Sequence, residues 1–159
     1  MSEEHVEVVR RFYASAEGEN LVPRMRETVE RLGPDPQTEA VLAFWAEDPT
    51  WKHVHPDVEW DTSGSGGAPA ARGAKEVVAL WTDWLEALES YVFRPTEYRD
   101  LGDWVLVETE ARARGARGRG GIPVEMRVFE IYQVRDGKIA VYRSFLSKQE
   151  ALEAAGLEE

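Results

Sequence analysis

The chain contains no cysteine, which excludes disulfides, thiolate metal sites and cysteine nucleophiles, and suits a cytoplasmic location. No run approaches the roughly eighteen apolar residues that a membrane span requires. Basic residues are scarce beside acidic ones, 19 against 30, for a net charge of −11. Such a surface repels phosphate backbones and anionic lipids, so neither nucleic acid nor membrane is an expected partner. The opening stretch MSEEHVEVVRR is acidic and has no apolar h-region, so it does not read as a secretory signal. No internal repeat is visible. What is present suffices for a core. Apolar residues make up 43% and charged residues 31% of 159 positions, the profile of one ordinary globular domain.

The hydrophobic period divides the chain in two. Residues 3–17 place Val6, Val9, Phe12, Tyr13 and Ala16 at helical spacing, with Gly18 as a stop. A second helix is expected over 21–32, with Leu21, Met25, Val29 and Leu32 on one face. Asp35 followed by Pro36 reads as the N-cap and first position of a third helix reaching Glu47. Residues 54–62 are strand-like, 63–73 form a glycine-rich loop, and 74–91 give the strongest helix signal. Beyond Tyr91 the period becomes 2, with strands expected at 92–99, 103–114, 122–135 and 138–146. Asp136-Gly137 joins the last two in a tight hairpin, and a short helix closes the chain. Helices followed by a run of antiparallel strands imply an α+β fold with a helical layer on a strongly curved sheet. A ligand-sized cavity belongs between such layers.

Alternation names the residues facing that cavity. Over 103–114, the charged set must be solvated, which turns Val105, Val107, Thr109, Ala111 and Ala113 inward. Over 122–135, Val124, Met126, Val128, Glu130 and Tyr132 share one face, so Glu130 stands in an otherwise apolar row. It is either a pocket acid with a raised pKa or a buried acid paired with an arginine from a neighbouring strand. Over 138–146, Ala140, Tyr142, Ser144 and Leu146 oppose Ile139, Val141, Arg143 and Phe145. Phe129, Ile131, Ile139, Val141 and Phe145 on the outer face would leave a large apolar patch, which predicts a homodimer. Trp60, Trp81, Trp84, Tyr132 and Tyr142 could form an aromatic cup for a flat ligand, or plain core.

Two further patterns carry weaker chemistry. His53, His55 and Asp57 alternate, and on a strand would point to one side as a metal set; the plainer reading is a loop entering the first strand, and no metal or cofactor is assigned. RARGARGRGGIP, 112–123, is a local basic patch in an acidic chain and reads as a solvated hairpin loop.

HPDVEWD (55–61), ARG (71–73), the two tryptophans at 81 and 84, LGDWVLVETEARARG (101–115) and VRDGKIAVYRSFLSKQEALEAAGL (134–157) occur in an order that resembles the nuclear transport factor 2-like superfamily, most closely its SnoaL-like branch. The resemblance covers 54–157 and the first helix, and makes 19–50 a helical insertion within one domain spanning 1–159. It implies a cone of helices closed by a curved sheet, often dimeric; the cavity and its aromatic residues suit a small apolar or aromatic ligand. It does not fix the chemistry, since this frame hosts isomerases, cyclases, dehydratases, epoxide hydrolases and binding proteins. The aspartate that SnoaL-like cyclases place seven residues after the hairpin glycine falls at Ser144. The arginine and aspartate of limonene-epoxide-hydrolase-like proteins fall at Thr109 and Ala111. A serine cannot replace a carboxylate as proton acceptor without a base of its own. By resemblance to ketosteroid-isomerase-like proteins, Asp61 lies near the base position and Glu130 near the protonated acid, while the tyrosine position falls on Phe12. The expectation is a small-molecule-binding protein lined by Phe12, Trp60, Trp81, Trp84, Thr109, Tyr132, Tyr142 and Ser144. The alternative is an isomerase or cyclase using Asp61 and Glu130 to move a proton next to a carbonyl.

Overall fold

A computed structural model describes residues 2–65, 70–115 and 123–157. Four helices precede or interrupt the first strands: α1 (Ser2–Ala14), α2 (Leu21–Leu32), α3 (Thr38–Glu47) and α4 (Ala74–Ala87). The strands are β1 (Val54–Asp61), β2 (Ala71–Arg72), β3 (Leu88–Asp100), β4 (Val105–Gly115), β5 (Pro123–Arg135) and β6 (Lys138–Phe145), and α5 (Lys148–Ala154) follows. They form one six-stranded sheet in the order β2-β1-β6-β5-β4-β3. Every pairing is antiparallel except β1 with β6, so the expected α+β fold with a mainly antiparallel, curled sheet is observed. No described helix is long and apolar enough to cross a membrane.

Local chemistry accounts for most boundaries. Asn20 caps α2, its side chain accepting from the Val22 N–H, and Gly33 closes it with φ 85°. Asp136 and Gly137 both take positive φ, 56° and 75°, as a type I′ hairpin turn requires. Pro95 lies on β3, an edge strand, where a missing N–H is tolerated. Ser147 caps α5 by accepting from the Glu150 N–H, a serine and glutamate at capping-box spacing.

Two boundaries differ from expectation. The helix expected over 74–91 stops at Ala87, because Leu88 already pairs with Gly115 on β4; the ladder overrides a stripe whose helical period continues through Leu88. Asp35 does not cap α3. The helix starts at Thr38 behind an extended Gln37 without a side-chain cap, and Asp35 approaches Lys75 at 4.0 Å instead.

The inner face of the sheet and the helices α1, α3 and α4 bury the main core, which includes Val9, Trp45, Val77, Val105, Val107 and Tyr132. A second cluster lies on the outer face, where Ala151 and Leu152 of α5 cover Leu106, Phe129 and Ile131. Among the described residues the apolar patch expected there is therefore smaller than alternation implied, with Val141 and Phe145 half-buried. Phe129 and Ile131 are buried within one chain. Ile139 is buried too, and belongs to the main core: the pairing shifts between Gln133 and Val134, and this bulge flips the alternation along β6. The homodimer expected through this face would rest on Val141 and Phe145, which stay half-buried.

Candidate functional site

A cavity of about 130 Å³ opens between the helices and the inner sheet face. By the measure on which one water needs roughly 10–15 Å³, it has room for a small ring-containing molecule. Aromatic rings dominate its wall: Phe12 from α1, Trp51 from the turn after α3, Trp60 from β1, Trp81 and Trp84 from α4, and Tyr142 from β6. Trp60 stacks on Tyr142 at 3.9 Å and 20°, while Trp51 contacts Trp60 and Trp81 at 5.2 Å each. Phe12 meets Trp51, Trp60 and Tyr132 edge-on.

Glu130 lies at the polar end. It pairs across the sheet with Val107 and Ser144, in the inward row that alternation assigned it, and is 9% exposed. Its Oε1 accepts from the Tyr13 hydroxyl at 2.5 Å and the Thr109 hydroxyl at 2.8 Å. Its Oε2 accepts from the Tyr142 hydroxyl. Tyr132 and Tyr13 share a further hydroxyl contact at 2.5 Å. Hydroxyl groups therefore hold this carboxylate in place of the arginine that a buried ion pair would need.

Burial pushes the Glu130 pKa up, and the three hydroxyl bonds pull it partly back by favouring the charged form. The same burial, followed by the nearby Glu130 charge, holds Tyr13, Tyr132 and Tyr142 well above their usual range. Tyr98 is raised to about 12, again first by burial. These tyrosines remain protonated donors at any physiological pH.

The expected residues divide into three groups. Phe12, Trp60, Trp81, Trp84, Glu130, Tyr132 and Tyr142 line the cavity together. Thr109 and Ser144 stand behind it: both are 2% exposed, Thr109 engaged with Glu130 and Ser144 with Ser65 at 2.6 Å. Asp61 is apart from the cavity lining. It follows Trp60 on β1, so alternation turns it the other way, and its Oδ1 accepts from the N–H and hydroxyl of Ser63 at 2.9 and 2.6 Å. The α1 tyrosine that reaches Glu130 is Tyr13, about 100° round the helix from Phe12.

The alternating His53, His55 and Asp57 do not share a strand face. His53 belongs to a 3-10 turn, and His55 Nδ1 accepts from the Asp57 N–H at 3.0 Å. No group of three metal-ligating side chains occurs among the described residues. Most of the basic stretch 112–123, and part of the loop 63–73, lie outside the described residues.

Sequence reasoning missed one wall. Leu21, Arg24, Met25 and Thr28 of α2, with Phe44 of α3 and Asp48 after it, all line the cavity, and all come from the 19–50 segment. The signal was the apolar face of α2, on which Leu21 and Met25 were already placed. Arg24 binds Asp48 at 3.3 Å and Thr50 at 2.8 Å, and Asp48 also accepts from the Thr50 and Trp51 N–H groups. This knot joins α2 to the chain beyond α3.

A helix-covered, curled sheet around an aromatic cavity with a buried acid defines a protein of the nuclear transport factor 2-like, ketosteroid isomerase-like fold. Residues 22–142 match the SnoaL-like domain, and the chain belongs to that family. No protein of curated function matches it. Among solved structures it is similar to TerC co-crystallized with polyporic acid, with 22% identity, TM-score 0.56, and coverage of 72% of this chain and 94% of that one. It is also similar to an NTF2-like protein of Burkholderia xenovorans LB400, at 22% identity and TM-score 0.57, over 98% and 97% of the two chains. A third is a hypothetical protein with a ketosteroid isomerase-like fold from Catenulispora acidiphila DSM 44928, in complex with trimethylamine, at 15% identity and TM-score 0.52, over 78% and 95%. These likenesses concern the fold.

Proposed function

We propose that the protein binds a small, largely apolar molecule in this cavity and has no cyclase or epoxide hydrolase chemistry of the usual SnoaL-like kind. One observation carries the reading: an aromatic-walled cavity ends in a single buried carboxylate held by hydroxyl groups. The positions where the related enzymes carry their acid/base groups hold Ser144, Thr109 and Ala111, none of which can take a proton at neutral pH. The 19–50 segment acts within the same single domain, as a wall of the ligand site.

The isomerase reading keeps one supporting observation. Burial raises Glu130 toward the protonated form that an oxyanion-stabilising acid needs. Against it stands Asp61, whose carboxylate is engaged with Ser63 and would have to leave that turn to serve as a base.

The test is a thermal melt with neutral aromatic probes such as indole and naphthol, alongside quenching of tryptophan fluorescence. A probe at a hundredfold its Kd stabilises by about 2.7 kcal/mol, a shift of a few degrees for a chain of this size. Met25→Trp, which fills the cavity from α2, should abolish the shift while the fold is kept. Protection that survives Met25→Trp, or no protection by any probe, would remove the cavity as the binding site.

A further inference from the structure

The apolar wall does not explain Glu130. Burying a carboxylate is unfavourable unless donors or a cation compensate it, and its partners supply donors without a positive charge. The protons of Tyr13, Thr109 and Tyr142 are all directed at the carboxylate. The polar end of the cavity therefore has its donors engaged and offers acceptor capacity. A ketone or other carbonyl ligand would find few free donors there.

The remaining charges sharpen the point. Among the described residues, the other charged side chains of the lining are Arg24 and Asp48, which pair with each other. Arg24 is further held by Glu19 at 3.4 Å and Thr50 at 2.8 Å. The pair cancels, and ionised Glu130 leaves the wall with negative charge. The same cavity is lined by Trp51, Trp60, Trp81 and Phe12, aromatic rings whose faces carry negative potential and attract cations. The net charge of −11 on the chain adds a long-range field of the same sign.

We propose that the cavity selects an organic ammonium ion, a quaternary or protonated tertiary amine on an apolar body, enclosed by the aromatic rings and neutralised by the Glu130 carboxylate. This rests on the cavity being the ligand site. Rings favour alkylated nitrogen because it is weakly hydrated and needs no hydrogen bond, and the carboxylate supplies the counter-charge. An anionic ligand meets charge of its own sign.

A probe of fixed charge then reports the ionisation of Glu130. The groups facing it are Tyr13 on α1, Thr109 on β4, Tyr91 and Tyr98 on β3, Tyr132 on its own strand and Tyr142 on β6. Across the cavity stand the paired Arg24 and Asp48. Burial keeps the tyrosines neutral far above pH 8, so affinity for a cation should rise with pH as Glu130 ionises.

Benzyltrimethylammonium and its neutral carbon isostere, neopentylbenzene, are titrated into the full chain by tryptophan quenching. At about pH 8 the cation should bind at least about tenfold more tightly than the isostere, and the advantage should shrink at about pH 5. Glu130→Gln should abolish both the preference and its pH dependence while leaving neopentylbenzene binding in place. Equal affinities, or tighter binding of the neutral probe, would overturn the ammonium inference and leave the cavity as a neutral site. Failure of both probes to bind would overturn the cavity reading as well. If Glu130→Gln does not fold, the comparison of the two probes on the parent chain across pH still decides.

Discussion

At the scale of single residues, Glu130 dominates. Burial raises its carboxyl pKa above the unfolded value of ~4.3. The native state then holds that proton more tightly than the unfolded chain does. The corresponding stability is fully present below about pH 4.3 and is lost as pH rises through the raised native value. Glutamine cannot ionise. The urea midpoint of Glu130→Gln relative to the parent, followed from about pH 4 to pH 8, should therefore improve as pH rises above about 4.3 and level off once Glu130 is ionised in the native state. A constant offset across that range would show that Glu130 ionises inside the protein as easily as in water. Tyr13 and Phe12 carry a second lesson, because neighbours on one helix divide the work: the phenyl ring packs on tryptophans while the phenol reaches the acid.

Among the elements, α2 builds a wall of the cavity with Leu21, Arg24, Met25 and Thr28. Asn20 ties down its start twice, accepting from the Val22 N–H and from the Tyr91 N–H on β3, each at 3.1 Å. Asn20→Ala removes a helix cap and a cross-element bond together. It should lower stability by about 1–2 kcal/mol, read from urea denaturation, and loosen the wall carrying Leu21 and Met25. A loss below a few tenths of a kcal/mol would mean that the Arg24 knot alone holds α2. The strands behaved as their alternation implied over β4 and β5, where both faces kept the assigned residues. β6 departed because its bulge changes the phase between Ile139 and Tyr142.

For the molecule as a whole, α5 decides what the outer sheet face does. Seven residues long, it cannot be stable alone, yet Leu152 and Ala151 cover Phe129 and Ile131. Leu152→Ala should cost about 2–4 kcal/mol in unfolding free energy, since a side chain only 5% exposed is lost. The variant should also bind a fluorescent hydrophobic dye that the parent excludes. An unchanged melt would mean that the outer face is stable without α5.

The sequence alone determined the order and type of the helices and of every strand but the two-residue β2, because hydrophobic period and turn chemistry are local: Val105 to Ala111 alternate, and Asp136-Gly137 can scarcely be anything but a turn. It also singled out Glu130, since a charge in an apolar row is visible without coordinates. Tertiary structure decided what Glu130 touches. Tyr13 is 117 residues away in sequence, and only the packing of α1 on the sheet brings that hydroxyl to the carboxylate in place of an arginine. Tertiary structure likewise made the 19–50 segment a wall. It also let α5 fold back over the outer face. Each of these depends on which surfaces meet, a property of long-range contacts that no local period encodes.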